Sequence, residues 1–228
     1  MRSCCMARGT MRPFMRRARI GIAALALLAA CGDEAAVPSV AKARAQANGT
    51  TATVEGYVTV APGAFESAMG NPGFALQDDS GGIYVKVTSR LTFPLGARVR
   101  VTGTLAEEAK FRILSAEQSS VQSLSGARTV IAEDVTTGGV GEATEGKLVR
   151  VTGRVTQTFQ DDAPYGYKLY VNDGSGEVQI FVHLFPGVPI STLRALTTAQ
   201  TIQVTGLSAQ YESTYEVAPR QAADIVVR

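Results

Sequence analysis

His183 is the one histidine of the chain, so a Ser-His-Asp triad would have a single possible base. No G-x-S-x-G motif, the usual setting of a nucleophilic serine in hydrolases, accompanies it. A metal site built from several histidines is excluded by the same count. The residue ends an alternating run, "EVQIFVH", and we therefore expect it at an exposed strand position rather than in a catalytic site.

Two short acidic stretches carry oxygen-rich side chains that could coordinate calcium. They are "QDDSGG" at residues 77–82 and "NDGSGE" at residues 172–177. Neither has the twelve-residue spacing with a closing glutamate that a calcium-binding loop requires. Asp, Ser and Gly are also the residues that tight turns favour. We interpret both stretches as hairpin turns, with a weak calcium site as the alternative.

The stretch "GEATEGK" at residues 141–147 nearly matches the phosphate-binding loop G-x-x-x-x-G-K-[ST]. Leu148 replaces the hydroxyl residue that would bind magnesium, and a valine-rich strand follows in place of a helix. The match is therefore rejected. With no other catalytic pattern, the sequence predicts a protein that is not an enzyme and has no cofactor or metal.

The elements that position these residues are repeated. The pentapeptide "VRVTG" occurs at residues 99–103 and 149–153, and "IQVTG" lies at 202–206. Gly56 and Gly153 are 97 residues apart, and Asp78 and Asp173 are 95 residues apart. In each copy the pattern predicts a strand, then a hairpin with a glycine turn, and then further strands. The repeat is therefore a duplicated module, and not a solenoid with a period of about fifty residues.

This order of short strands predicts an all-β protein of two tandem OB-folds, each a five-stranded Greek-key barrel. The segments "GFALQDDSGGIYVKV", "LGARVRVTGTL" and "YVNDGSGEVQIFV" resemble OB-fold modules of secreted bacterial proteins, which often stand beside extracellular nuclease domains. We place module 1 at residues 48–128 and module 2 at 147–228, with an acidic, glycine-rich connector of limited order at 129–146. A short helix is expected from Ser191, whose hydroxyl can cap it.

The amino terminus has the pattern of an export signal. Arg16, Arg17 and Arg19 precede an apolar run at residues 20–30, which is too short to span a membrane. "LAAC" at residues 28–31 resembles the lipobox of bacterial lipoproteins, in which the cysteine is acylated after cleavage. We predict a lipoprotein signal peptide at 1–30, then lipidated Cys31 and a flexible tether through residue 47. The protein would be exported and anchored in the cell envelope, in the outer membrane if the source has two.

Strand alternation predicts the side chains that face outward and could form a ligand face. In module 1 these are Tyr57, Tyr84, Lys86, Arg98 and Arg100. In module 2 they are Lys168, Tyr170, Phe181 and His183. Aromatic rings beside cations are the surface on which OB-folds stack bases and meet phosphates.

The charge balance limits this interpretation. Removing the six arginines of residues 1–30 leaves 16 basic against 20 acidic residues, a formal net charge of −4. Each module is neutral, with seven bases and seven acids at 48–128 and again at 147–228. We therefore expect a non-catalytic envelope binding module with an unidentified ligand, such as an envelope protein or glycan. The alternative is a weak binder of single-stranded nucleic acid that works with a separate extracellular nuclease.

Overall fold

Alternating apolar and polar residues fold this chain into two closed, mainly antiparallel barrels. The computed structural model describes residues 36–67, 70–88, 91–184 and 187–228. The predicted signal peptide and Cys31 lie outside these residues.

Barrel 1 has the strand connectivity of an OB-fold. Strand β1 pairs antiparallel with both β2 and β4, β3 pairs parallel with β5, and β4 pairs antiparallel with β5, which closes the barrel. A sixth strand, β6, pairs antiparallel with residues 97–101 of β4. The strands are β1 Thr51–Val60, β2 Gly73–Gln77, β3 Gly82–Lys86, β4 Ala97–Glu108, β5 Phe111–Ser115 and β6 Val121–Ala127.

Barrel 2 repeats this connectivity. Strand β8 pairs antiparallel with β9 and β11, β10 pairs parallel with β12, and the last strand pairs with β11. The strands are β7 Glu133–Asp134, β8 Leu148–Asp162, β9 Gly166–Asn172, β10 Glu177–His183, β11 Thr201–Tyr211, β12 Thr214–Ala218 and β13 Ile225–Val227. The predicted all-β fold of two tandem barrel modules is confirmed.

A short helical turn seals one end of each barrel. Helix α1, Val40–Arg44, buries Val40 in the core of barrel 1, and the 3₁₀ turn Thr137–Gly139 occupies the equivalent place in barrel 2. We call these two segments the sealing turns. Each is held by the hairpin turn of its own barrel: Asp78 Oδ2 accepts a bond from Val40 N at 2.9 Å, and Asp173 Oδ2 accepts one from Thr137 N at 3.1 Å.

The sealing turns correct two predictions about the segments before each barrel. The predicted flexible tether includes α1, whose Val40 and Ala43 are fully buried. The predicted connector of limited order contains β7 and the second sealing turn, and its Val140 packs into the core of barrel 2. Both segments are ordered because a barrel end needs apolar cover, and neither composition nor strand alternation shows which segment supplies it.

The predicted serine cap is not formed. Helix α2, Ile190–Arg194, lies between β10 and β11, where an OB-fold usually carries a helix. It begins after Pro189 with no side-chain cap, so Ser191 lies inside the helix. Leu193 is fully buried in the barrel core and fixes the helix there.

The two barrels share an apolar contact. Barrel 1 contributes Val60, Phe65, Ala75, Tyr84, Phe111 and Ile113, and barrel 2 contributes Leu207, Ala209 and Ala218. Hydrogen bonds also join them: Glu212 N donates to Ala109 O at 2.6 Å, and Leu148 N donates to the side-chain oxygen Oε1 of Gln77 at 2.9 Å. Gly82 and Gly146 meet so closely that a Cβ on either would collide with the other's backbone.

Candidate functional site

The structure removes Tyr84 from the predicted ligand face. The alternation pattern predicts the directions of these side chains correctly, because Ile83 and Val85 point into barrel 1 and Tyr84 points out of it. Barrel 2 covers this outer surface, however, and Tyr84 is fully buried. Its hydroxyl donates to the carbonyl oxygens of Phe65 and Asn71, at 3.1 and 3.0 Å. Burial raises the pKa of this phenol above its usual value.

Lys86, also predicted to meet a ligand, is held within the protein. Its Nζ lies 2.6 Å from Glu108 Oε1, and the same carboxylate accepts bonds from Ser67 and Asn71. Burial works to raise the pKa of Glu108, but these three hydrogen bonds lower it overall. The Lys86 ammonium therefore stabilises the loop between β1 and β2 rather than facing solvent.

His183 and Phe181 are likewise covered. Phe65, on the loop that follows β1, places its ring centroid 4.5 Å from that of His183, and Phe181 lies 4.8 Å away on its own strand. The His183 Nε2 atom is buried without a hydrogen-bond partner among the described residues. Burial lowers its pKa to about 4. The predicted exposed histidine is thus part of the contact between the barrels.

Three predicted residues do lie together, on the outer surface of β1 and β4. Tyr57 pairs with Arg98 across these strands, and Glu55 pairs with Arg100. The carboxylate of Glu55 binds both guanidinium groups, with Arg100 Nη2 at 3.0 Å. Arg128, at the end of β6, places its guanidinium 4.3 Å from the centre of the Tyr57 ring. We call Tyr57, Arg98, Arg100 and Arg128 the arginine–tyrosine face.

The arginine–tyrosine face keeps its cations accessible. The side chains of Arg98 and Arg128 are 41% and 42% exposed. Arg128 donates to Asp79 at 2.8 Å, and this hydrogen bond raises the pKa of its guanidinium. A pocket of about 350 Å³ adjoins the face between Arg100, Glu55 and the segment before α1. Guanidinium groups in this setting can exchange a carboxylate for a phosphate.

Lys168 and Tyr170, the remaining predicted residues, lie half-exposed on the outer surface of the β8–β9 hairpin. A row of side chains crosses this surface on four neighbouring strands: Gln157, Tyr170, Gln179 and Glu216. Tyr170 donates to Gln179 Oε1 at 2.9 Å, and Gln179 Nε2 donates to Glu216 Oε2 at 2.8 Å.

The equivalent row of barrel 1 is hydrophobic, with the Tyr84 hydroxyl as its one polar side-chain group. It consists of Val60, Ala75, Tyr84 and Ile113, matched strand by strand through the same register. These are the residues that barrel 2 covers. The same outer row of the fold is therefore an inter-barrel contact in barrel 1 and a hydrogen-bonded polar row in barrel 2, where Gln179 and Glu216 are buried.

We call Gln157, Gln160, Tyr165, Lys168, Tyr170 and Gln179 the hairpin surface. Tyr165, at the tip of the β8–β9 hairpin, is 68% exposed. Burial raises the pKa of Glu216, at the end of the polar row, to about 7. Of these residues only Lys168 and Tyr170 belong to the predicted ligand face. Strict alternation from Val151 and Val155 would turn Gln157 inward, and the register shift between Val155 and Gln157 brings it to the outer surface. Tyr165 lies in a turn, where alternation makes no prediction.

The acidic turns are structural in the parts of the chain that the structure describes. Asp78 Oδ1 accepts bonds from Ser80 and Gly81, and Asp173 Oδ1 accepts bonds from Ser175 and Thr137. Within the described ranges, no group of three or more His, Cys, Asp or Glu side chains is arranged to hold a metal ion. Nor does any described helix have the length and apolar character needed to cross a membrane.

Comparison with known proteins finds a relative that is much longer than this chain and is matched over a small part of its length. No family model matches the chain. It is 26% identical over 185 residues to Endonuclease YhcR of Bacillus subtilis (strain 168), a match that covers 76% of this chain. The chain spans 14% of that protein's length.

Similar solved structures include a murine DNA-binding protein bound with double-stranded DNA, at a TM-score of 0.40 and 13% identity. That similarity covers 73% of this chain and 90% of the other. The p204 HINb domain has a TM-score of 0.38 at 10% identity and covers 79% of this chain and 97% of its own.

Proposed function

We propose that this chain is a non-catalytic binding module that holds single-stranded nucleic acid on the arginine–tyrosine face of barrel 1. The observation that carries the proposal is the grouping of two guanidinium groups on the Glu55 carboxylate with a third guanidinium over the Tyr57 ring. One guanidinium group can bind two oxygens of a phosphate at once. The bases of a single strand can stack on a tyrosine ring or on the plane of a guanidinium group.

The fold does not require these arginines. At the positions equivalent to Arg98 and Arg100, barrel 2 carries Thr201 and Gln203 on β11, in the same strand pairing. The barrel closes equally well with uncharged residues there. The arginine pair therefore supports a role in binding rather than in folding.

The carboxylates of Glu55 and Asp79 hold the cations in the free protein. Three arginines against these two acids leave an excess of one positive charge on the face. Few counterions can be released when a strand binds, so the expected affinity is modest. Stacking on Tyr57 would then contribute a large share of the binding free energy.

Similarity to an endonuclease supports a role beside nucleases. The chain matches only a small part of that protein, which is the arrangement expected of an accessory module. We propose that it presents nucleic acid to a separate nuclease outside the cell. The proposal that it has no catalytic activity of its own is supported by the packing of His183 against Phe65 and Phe181, which leaves its Nε2 atom buried.

We further propose that the protein is exported and anchored to the bacterial envelope through lipid on Cys31. The support is the "LAAC" motif after a basic and then apolar stretch. Metabolic labelling with a radioactive fatty acid should mark the wild-type protein and leave Cys31→Ser unlabelled. Equal labelling of the two proteins would exclude this anchor.

Fluorescence anisotropy with a labelled oligothymidylate tests the binding function. The wild-type protein, from residue 36 onward, should bind saturably at low salt. Three phosphate contacts on a single strand predict a slope near −2 for log K against log salt, measured between about 50 and 200 mM. The double variant R98A/R100A should bind weakly and reduce the slope to about −0.7.

Arg154→Ala is the control, because it removes an exposed arginine from the same outer surface of barrel 2, on β8 opposite Thr201. It should bind like the wild type. Absence of saturable binding at low salt would reject the proposal. An equal loss in R154A would show that total charge is responsible and not this face.

A further inference from the structure

Three side chains of barrel 2 form a continuous line of hydrogen bonds from the interior to the surface. Tyr170, on β9, donates from its hydroxyl group to Gln179 Oε1 at 2.9 Å, and Gln179 Nε2 donates to Glu216 Oε2 at 2.8 Å. Gln179 and Glu216 are buried, with 9% and 6% of their surface exposed, whereas Tyr170 is half-buried. We call Tyr170, Gln179 and Glu216 the polar relay, because it joins a buried carboxyl group to a side chain of the hairpin surface.

The fold does not require polar residues at the positions of the relay. Barrel 1 carries Ala75, Tyr84 and Ile113 at the equivalent positions, and these residues pack on barrel 2. Burying an amide and a carboxyl group costs free energy that hydrophobic side chains of similar size do not cost. Barrel 2 therefore keeps the polar relay at a cost to its stability, which favours a role in function over a role in packing.

The direction of the two hydrogen bonds matches an ionised Glu216. A carboxylate oxygen only accepts hydrogen bonds, so the amide of Gln179 turns its NH₂ group towards Glu216, and its carbonyl oxygen accepts from Tyr170. A protonated carboxyl group carries an O–H donor instead. Gln179 can accept from that donor after a half-turn about its Cγ–Cδ bond, because the two ends of an amide have nearly the same size and shape.

Both protonation states of Glu216 are accessible near neutral pH. Burial raises the pKa of Glu216 to about 7, while the hydrogen bond from Gln179 and the charge of Lys168 lower it and the charge of Asp162 raises it. Lys168 Nζ lies 3.0 Å from Asp162 Oδ1, so the effects of these two charges on Glu216 oppose each other. Burial is thus the dominant cause, and a small change of pH shifts the population of the two states.

The other strands next to the relay add little charge at Glu216. On β11, the uncharged Ala209 lies opposite Glu216 and packs against apolar residues of barrel 1. On β10, Glu177 and His183 are the other titratable residues on the side of Gln179. Glu177 accepts a bond from Thr156 at 2.6 Å, and His183 is neutral near pH 7 because burial lowers its pKa to about 4.

We propose that protonation of Glu216 reverses the polar relay and changes the hydrogen-bonding character of Tyr170 at the surface. With Glu216 ionised, the Tyr170 hydroxyl group donates inward, and its oxygen is left to accept from groups outside. With Glu216 protonated, its Oε2–H group donates to Gln179 Oε1, Gln179 Nε2 donates to Tyr170 Oη, and the Tyr170 O–H group donates outward. One proton is taken up from solvent by Glu216 Oε2, and no other covalent bond forms or breaks.

The hairpin surface thus presents an acceptor at Tyr170 above the pKa of Glu216 and a donor below it. A buried group thereby sets the chemistry of a surface group without a movement of the backbone. This inference does not depend on the arginine–tyrosine face or on the function proposed for it.

Nuclear magnetic resonance titration of the protein between about pH 5 and pH 8.5 tests the reversal. The carboxyl carbon of Glu216 reports its ionisation, and the side-chain amide of Gln179 and the hydroxyl-bearing ring carbon of Tyr170 report the two hydrogen bonds. All three signals should shift together, with one midpoint near the pKa of Glu216. The ring of Tyr165, exposed at the tip of the same hairpin, should not follow them and is the control.

Gln179→Met separates the relay from a direct effect of charge, because it removes the amide and keeps the length of the side chain. Glu216 should still titrate in Q179M, with a higher midpoint, since the hydrogen bond from Gln179 lowers its pKa. The signal of Tyr170 should no longer follow Glu216. If Tyr170 follows Glu216 as closely in Q179M as in the wild type, the carboxylate acts through space and the relay is excluded.

The wild-type titration decides the question even if Q179M does not fold. A Glu216 carboxyl carbon that does not titrate in this range would overturn the inference. So would a Gln179 amide and a Tyr170 ring that stay unchanged while Glu216 titrates.

Discussion

Gln179 and Glu216 are joined by a 2.8 Å hydrogen bond at the two positions where barrel 1 packs Tyr84 beside Ile113. Two copies of one fold thus use the same pair of sites for opposite purposes. In barrel 1 the pair is apolar and buried by the neighbouring barrel. In barrel 2 the pair is polar and hydrogen-bonded, and both side chains are buried.

Replacement of Glu216 by glutamine should stabilise the protein at alkaline pH. Burial raises the pKa of Glu216 from its ordinary 4.5 to about 7, so the folded protein favours the neutral carboxyl. Its stabilising effect is complete below pH 4.5 and is lost as pH rises through 7. E216Q, which keeps a neutral group, should be about 2 kcal/mol more stable than wild type at pH 8.

Urea unfolding at pH 5 and pH 8 measures this difference. The gap between E216Q and wild type should be small at pH 5 and should widen at pH 8. A gap that is the same at both values would show that the carboxyl does not titrate in this range.

His183 should make the protein sensitive to acid. Burial lowers its pKa from 6.5 to about 4, so the unfolded chain binds a proton more readily than the folded one. The stabilising effect of the neutral ring is complete above pH 6.5 and disappears as pH falls to about 4. His183→Phe should remove this component, about 1–2 kcal/mol, from the loss of stability between pH 6.5 and 4.5.

Chemical denaturation of wild type and H183F at several pH values checks this prediction. Glu216 acts in the opposite direction, and E216Q/H183F separates the two effects. If wild type and H183F lose stability in parallel on acidification, His183 is not the cause.

Tyr84 should be the most sensitive residue of the inter-barrel contact. Tyr84→Phe removes two buried hydrogen bonds while keeping the ring, and we expect a loss of about 1–2 kcal/mol in unfolding free energy. Tyr84→Gln, which installs the residue of barrel 2 at the equivalent site, should cost about 3 kcal/mol. Tyr57→Phe is the control for loss of a tyrosine hydroxyl outside the contact and should be nearly neutral. A Y84Q protein as stable as wild type would mean that the contact contributes little.

The carboxylates of Asp78 and Asp173 should stabilise the sealing turns against local opening. Hydrogen bonds from Ser175 and Thr137 lower the pKa of Asp173, so the ionised carboxylate is the form that stabilises the fold. This stabilisation is present above the ordinary pKa near 3.8 and is lost on strong acidification. Asp78→Ala and Asp173→Ala should each cost about 1 kcal/mol, as for the loss of a helix cap.

Hydrogen exchange locates this effect. The amides of Val40 and Thr137 should exchange faster in the corresponding variants. Asp79→Ala, in the same turn as Asp78, removes a carboxylate that contacts Arg128 and not the sealing turn. It should leave the exchange of Val40 unchanged, and faster exchange there would assign the effect to turn geometry instead.

The two barrels could be predicted from the sequence because the residues that specify each hairpin lie close together in the chain. Glycine turns such as residues 79–82 and alternation such as Ile83, Tyr84 and Val85 specify a hairpin and its two faces without reference to the rest of the chain. Repetition of that pattern about 97 residues later then gave the duplication. The direction of each side chain on β3, β4, β9 and β10 was correctly predicted for the same reason.

What covers an outward face depends on distant residues and could not be predicted this way. Alternation placed Tyr84 outside its barrel, but Leu207 and Ala209 that cover it lie in the other module. Phe65 covers His183 from a loop with no strand pattern. The sealing turn Thr137–Gly139 was missed because a polar, glycine-rich stretch becomes ordered only through hydrogen bonds to a turn beyond its neighbours in sequence.

The outer rows of barrel 1 and barrel 2 differ in polarity, and this difference limits the contact between the barrels to one pair of surfaces. Barrel 2 offers Leu207 and Ala218 to barrel 1, whereas the equivalent positions of barrel 1 are Thr104 and Ser115. The outer row of barrel 2 is polar where that of barrel 1 packs on its neighbour. Each barrel thus carries one half of this contact and lacks the other half, so the same surfaces cannot add a third barrel in the same way.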